Sequence, residues 1–226
     1  MEENMNVKLV SYSAPTKEMI DNGIDDVQEL IAFCSRVSNP SNQFNTVTSE
    51  KLIRYLIKHK HWSPLEMSSA CLEIETTRDI ARQILRHRSF SFQEFSQRYA
   101  DPTKDLDFEL REARLQDNKN RQNSIETDDE NLRLQWQYHQ QKVISAAKDA
   151  YEWAISNGIA KEQARAVLPE GNTVSRMYMN GTLRSWIHFI ELRSGNGTQK
   201  EHIEVARACA AAIAEIFPMA DEFVEK

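Results

Sequence analysis

Between Gln83 and Tyr99 the chain reads QILRHRSFSFQEFSQRY, with Arg82 immediately before it. Arg86, Arg88 and Arg98 fall in this stretch, in a chain where 34 acidic residues outnumber 28 Lys and Arg. A guanidinium fork matches two phosphate oxygens at once, stays charged at any working pH and tolerates partial burial better than an ammonium. The cluster is therefore chemistry for an anionic ligand. Alternating Ser and Phe after Arg88 predict an irregular strand or loop that turns small hydroxyl donors toward that ligand. Helical spacing puts Gln83 on the same side as Arg86 and His87, and its amide offers both a donor and an acceptor. For Arg-His-Arg alone, a cationic helix end that complements the dipole is the plainer reading. The ensemble favours a ligand site: Arg-His-Arg, seven residues, Ser96, then Arg98-Tyr99, with Glu94 between.

These residues need a frame. Val7, Leu9 and Tyr12 alternate with polar residues, predicting a first strand, and Ala70, Leu72 and Ile74 do the same over Ser69 to Glu75. Val27, Leu30, Ile31 and Cys34 recur at helical spacing, as do Leu52, Ile53, Leu56 and Ile57 after Thr48-Ser49-Glu50. Thr76 and Asp79 have the form of a capping box before a short helix with Ile80, Ile84 and Leu85. Residues 101–127 read as a polar loop excursion, begun by a strand at Leu106, Phe108 and Leu110. Thr127 and Glu130 predict the start of a long helix that closes at Asn157-Gly158. Further helices are expected over Lys161 to Leu168, Thr182 to Arg193 and Gln199 to Phe217. With no repeat or linker, the expectation is a single α+β domain spanning 1–226, with long helices in its C-terminal half.

Composition narrows the chemistry. Cys34, Cys71 and Cys209 are odd in number and scattered, so a disulfide framework and a CxxC metal site are excluded and a cytoplasmic setting is expected. None of the six glycines builds a GxGxxG or Walker loop, so a bound nucleotide must be held largely by side chains. MEENMNVKLV shows no secretory signal, and no run approaches the ~18 apolar residues of a membrane span. His59 and His61 stand two apart at a helix end and do not converge, so no metal is expected. The alternative of an RNA- or nucleotide-binding protein without catalysis is disfavoured by net charge −6, since nucleic-acid affinity comes largely from phosphate neutralisation.

The segment Arg86-His87-Arg88 to Ser96 resembles the Arg-His-Arg-x7-Ser signature of the flavin-dependent thymidylate synthases. The longer form RHRxxSxNExSxRY is matched at Arg86, His87, Arg88, Ser91, Glu94, Ser96, Arg98 and Tyr99, with Gln93 in place of Asn. Three further blocks occur in family order: His61-Trp62-Ser63-Pro64-Leu65-Glu66, Gln163 to Pro169, and NGTLRSWIHFIELR followed by Thr198-Gln199-Lys200-Glu201. Met67 and Thr182 stand where the family often has His and Asn.

The resemblance implies a small, mostly antiparallel sheet flanked by helices, and a homotetramer whose active sites combine several subunits. It implies methylation of dUMP to dTMP with methylenetetrahydrofolate as carbon donor, FAD as hydride carrier and NADPH as reductant. His61, Ser63, Arg86, His87, Arg88, Glu94, Thr182, Arg184 and His188 are then expected at FAD. Gln83, Arg86, Glu94, Ser96, Arg98, Arg165 and Arg193 are expected at dUMP, with Arg193 catalytic at the uracil ring. Helix geometry adds that Arg184 and His188 share a face, while Arg193 points about 140° away from His188. None of the three cysteines has the basic surroundings of a reactive thiolate, so flavin stands in for a cysteine nucleophile.

Overall fold

A two-residue period with one apolar face organises the sheet on which the site is built. The computed structural model describes residues 7–225, so the first residues of the stretch read for a secretory signal lie outside them. In chain order the elements are β1 (Val7–Tyr12), α1 (Lys17–Asp21), α2 (Val27–Ser35), α3 (Ser49–Lys58), β2 (Ser69–Thr77), α4 (Arg78–Ile84) and β3 (Ser91–Glu94). There follow α5 (Pro102–Asp105), β4 (Arg114–Gln116), β5 (Ser124–Glu126), α6 (Glu130–Ser156), α7 (Lys161–Ala164), β6 (Val174–Thr182), α8 (Leu183–Arg193) and α9 (Lys200–Ala214). The main sheet has the order β1-β2-β6-β3, antiparallel throughout.

The inner face of the sheet carries Leu72 and Ile74 from β2 and Met177 and Met179 from β6, all buried. Against it pack α8 and α9 through Trp186, Phe189, Ile190, Val205, Cys209 and Ile213. The opposite face is polar. In the β2–β6 pairing Glu73 faces Tyr178, whose hydroxyl donates to it at 2.8 Å, and Glu75 faces Arg176.

The strand β6 has no counterpart in the sequence reading, although it is central. Its inward positions are Ser175, Met177, Met179 and Gly181, which lack the β-branched signature of a buried strand. Gly181 is needed for a close approach: the Phe90 ring occupies the space where a Cβ would stand. That ring lies 4.8 Å from Trp186 and 6.0 Å from Phe189, and so supports the helix behind the site.

Three local expectations are corrected. Thr77, not Thr76, precedes α4, and its hydroxyl donates to Asp79 at 2.5 Å instead of closing a capping box. Asp129, not Thr127, caps α6, accepting from the Leu132 amide. Residues 101–127 are not merely a loop excursion. They contain α5 and the β4–β5 hairpin, and Phe108 makes only an isolated bridge to Thr173. Charge pairing holds this segment down: Arg111 contacts Asp79 at 2.7 Å, and Arg114 contacts the buried Glu201 at 2.6 Å. Those two guanidiniums were hidden in the polar stretch because their partners lie far away in sequence.

Candidate active site

The candidate side chains lie on three patches, two of them at the two ends of α8. The first forms where the end of α4, the last turn of α8 and the first turn of α9 meet. α4 ends at Ile84, so Arg86 and His87 stand on turns rather than on a continued helix. Arg193 Nε donates to His87 Nε2 at 2.9 Å. The His87 ring stacks edge-on against Phe189 at 5.0 Å. Gln83 Nε2 donates to Gln199 Oε1 at 2.9 Å, and Gln83 Oε1 lies 3.3 Å from His202 Nδ1.

Both histidines are neutral. Burial, reinforced by Arg193 and Arg86, pushes His87 down to about 4, and burial with Arg193 and His87 pushes His202 to about 3. A neutral imidazole can accept the Arg193 hydrogen bond, and an imidazolium cannot. Burial, then Arg86, lowers the Arg193 guanidinium from its ordinary value. Among the described residues Arg86, Arg88 and Arg193 form no ion pair with a carboxylate. Arg86 and Arg193, which act on each other and on His87, are neighbouring cations without a counter-anion among the described residues, the arrangement an anionic ligand completes.

The second patch lies at the start of α8. Thr182 caps that helix, accepting from the Ser185 amide, and its hydroxyl donates to Glu66 Oε2 at 2.7 Å. Arg184 Nε sits 3.6 Å from Glu66 Oε1 yet is buried without a hydrogen-bond partner. His188 meets the edge of Trp62 at 4.9 Å, and Ser63 opens the 3₁₀ turn that follows. His61 lies 6.1 Å from the Tyr55 ring. His188 and Arg193 do reach different neighbours, as their helical phase requires.

The third patch surrounds the end of β3. Glu94 Oε1 accepts from Ser175 at 2.8 Å and lies 3.4 Å from Arg78. Arg98 pairs with Glu162 at 3.3 Å, and Arg165 Nε donates to the Glu162 carbonyl at 3.3 Å. The Ser96 hydroxyl accepts from the Arg98 amide at 3.4 Å. Arg78 is lowered mainly by burial, which outweighs the attraction of Glu94, while Arg82 and Arg165 lower it further. Among the described residues no hydrogen bond or ion pair joins this patch to Arg193.

Sequence reading did not single out Arg78 or His202, nor the contacts that Gln199 and Glu201 make. Arg78 carries only the signal of a helix start, and His202 sits on an apolar helix face. Glu201 is 7 % exposed. Burial raises its carboxyl, but a backbone hydrogen bond, Arg111, Gln199 and Arg114 outweigh this and hold it below the usual range. The cysteines behave as expected: burial raises all three thiols, which keeps them protonated.

The depressed histidines give a stability signature. An unfolded histidine takes its proton near 6.5, whereas folded His202 refuses it down to about 3. The unfolded chain therefore binds the extra proton across that interval, and stability falls as pH falls through it. Since His202 is fully buried, its contribution approaches about 1.4 kcal/mol per pH unit. Melting temperature measured from pH 7 to 4 is expected to drop more steeply for the native chain than for His202→Asn. Equal slopes would remove His202 as the origin.

By chemical type these donors suit the phosphates of a dinucleotide: the guanidiniums of Arg86 and Arg88, without an ion pair among the described residues, the Arg184 Nε that lacks a hydrogen-bond partner, and the Ser63 hydroxyl. Comparison with known proteins agrees. The family model described as thymidylate synthase complementing protein matches residues 18–219. A probable flavin-dependent thymidylate synthase of Paramecium bursaria Chlorella virus 1 is 48% identical over 95% of this chain and 96% of its own. The flavin-dependent thymidylate synthase of Synechocystis sp. is 46% identical over the same shares. In structure, a UMP/dUMP methylase, PolB from Streptomyces cacaoi, bound with 5-Br dUMP, superposes with a TM-score of 0.78 at 26% identity, covering 97% of this chain and 94% of that one. With its Arg-His-Arg turn, its uncompensated cations and these matches over nearly its whole length, the chain belongs to the thymidylate synthase complementing protein family, the flavin-dependent thymidylate synthases.

Proposed function

We propose that this flavin-dependent thymidylate synthase converts dUMP to dTMP in a site assembled from patches of different copies of the chain. The observation that carries the reading is Arg193, a partly buried guanidinium whose hydrogen-bonded neighbour is a neutral histidine and not a carboxylate. Its charge remains available to the ligand. Placed against the uracil ring, it stabilises the negative charge that develops as the base is activated. Arg98 and Arg165, with the Ser96 hydroxyl, form a clamp for the nucleotide phosphate. Glu94, hydrogen-bonded by Ser175 and facing Arg78, orients this cationic wall.

Arg86 and Arg88 hold the FAD diphosphate, with His61, Ser63, Thr182, Arg184 and His188 along the rest of the cofactor. When bound, FAD supplies hydride transfer, with NADPH as reductant and methylenetetrahydrofolate as carbon donor. The chain's own contribution is position and charge.

Assembly as a homotetramer is supported by α6. Its buried residues are Gln140, Ala147, Tyr151 and Ala154, while Leu134, Tyr138, Val143 and Trp153 are exposed. A helix of 27 residues with so much apolar surface outward calls for a partner copy. Co-expression tests the shared site. Arg193→Ala and Arg165→Ala chains, each expected to be strongly impaired alone, are expected to recover roughly a quarter of native turnover per site when mixed, since random assembly restores some sites with both arginines intact. No recovery would place both arginines in one copy's site.

A further inference from the structure

Gln83 is held at the end of a one-way hydrogen-bond chain. Glu201 lies in the first turn of α9 with Arg114 at 2.6 Å and Arg111 at 3.4 Å from its Oε1. Its Oε2 accepts from Gln199 Nε2 at 2.9 Å, Gln199 Oε1 accepts from Gln83 Nε2 at 2.9 Å, and Gln83 Oε1 faces His202 Nδ1 at 3.3 Å. An ionised carboxylate can only accept hydrogen bonds. Glu201 therefore turns the amide nitrogen of Gln199 toward itself and the oxygen toward Gln83. That oxygen too can only accept, so Gln83 must present its nitrogen to Gln199 and its oxygen to His202.

The far end agrees independently. Facing a carbonyl oxygen, His202 Nδ1 must carry the proton, which leaves Nε2 as a bare lone pair. Nε2 is the ring nitrogen that lies buried with no hydrogen-bond partner. An N–H at that position would be an orphaned donor, the rarer and costlier case.

We infer that Glu201, anchored by Arg111 and Arg114, acts through Gln199 as a positioning residue that sets which way the Gln83 amide faces, and thereby which donor and acceptor Gln83 offers to the pyrimidine nucleotide. With the chain in place, Gln83 keeps one N–H and one oxygen lone pair for the ligand, in a single orientation. Reversal of the chain would exchange them. The β4–β5 hairpin thus bears on nucleotide binding through the two arginines at its base, although those arginines need not touch the ligand. This inference rests on the reading of Gln83 as a residue that contacts dUMP.

The test is a double-mutant cycle on the FAD-loaded enzyme, read by calorimetric titration with dUMP. Glu201→Gln removes the acceptor-only end of the chain, and Gln199→Met cuts the chain while leaving the Glu201–arginine cluster intact. Each is expected to weaken dUMP binding about three- to tenfold, the range of one hydrogen bond. Neither should weaken it further in a Gln83→Ala background, where there is no amide left to orient. Nitrogen NMR of His202 is expected to show the Nδ1–H tautomer in the native enzyme and a mixture in Glu201→Gln. If Gln199→Met binds dUMP as the native enzyme does, or if its effect is as large in Gln83→Ala as without it, the positioning role is wrong. If Gln83→Ala itself leaves dUMP binding unchanged, the reading of Gln83 fails and the inference falls with it. Should Glu201→Gln fail to fold, Gln199→Met decides the matter alone.

Discussion

Arg193→Ala is expected to lose turnover by roughly a hundred- to a thousandfold, the range seen when one preorganised group for a developing anion is removed, and to keep its flavin. The size follows from surroundings that leave the guanidinium uncompensated. Its Nε is spent on His87 at 2.9 Å, which fixes the plane of the group and, among the described residues, leaves its two terminal nitrogens without a hydrogen bond, available to meet a substrate anion. Phe189 holds the His87 ring from below, and the neighbouring Arg86 adds repulsion that a bound anion relieves. Lysine is no substitute, since a point charge on a flexible stem cannot hold His87 and face the ring together. Arg193→Lys is therefore expected to stay close to the alanine variant. Tritium release from dUMP labelled at C5 reads the turnover, and visible absorbance of the purified protein reads the flavin. Native tritium release by Arg193→Ala would remove this residue from the chemistry; a colourless but folded protein would move it to the cofactor.

Trp186→Ala costs about 3–5 kcal/mol of stability, the usual range for emptying a large buried aromatic. Trp186 is fully buried against Phe90 and Phe189, and its indole N–H donates to the Ala70 carbonyl on β2 at 3.0 Å. No small side chain replaces that volume, and the carbonyl loses its donor. For a chain of this size each kcal/mol shifts the midpoint by about 2–4 °C, so melting is expected to fall by about 6–20 °C. Because Trp186 also sets the rotation of α8 against the sheet, dUMP affinity is expected to drop in the same variant even where it remains folded. Trp186→Phe keeps most of the packing and should recover most of both. A melting temperature unchanged in Trp186→Ala would show that α8 is held elsewhere.

How much was legible beforehand depends on the range of the interactions involved. The strands β1 and β2 and the helices α2, α3, α8 and α9 follow from local periodicity, and their boundaries agree within a few residues. Missing β6 has a physical reason: its inner face carries methionine, serine and glycine in place of β-branched residues, and Gly181 answers to the close approach of Phe90, a tertiary demand with no local signature. The polar stretch 101–127 looked like an excursion because its anchoring charges, Arg111 and Arg114, pair with Asp79 and Glu201 across long separations. Arg78 and His202 were invisible for the same reason. Each joins the candidate site only when another part of the chain is folded against it.

From the residues alone came the chemistry: arginine forks without a glycine cradle, cysteines without activation, and an Arg-His-Arg turn followed by Glu94, Ser96 and Arg98. These depend on side-chain type and short spacing, which the sequence carries directly. Only the tertiary structure decided that Arg193 rests on a neutral His87, that the Gln83 amide is held by Gln199 and His202, and that the candidate residues divide among three patches. Protonation states and hydrogen-bond directions arise from burial and from charges brought together across the fold, so they exist only after the chain has closed on itself.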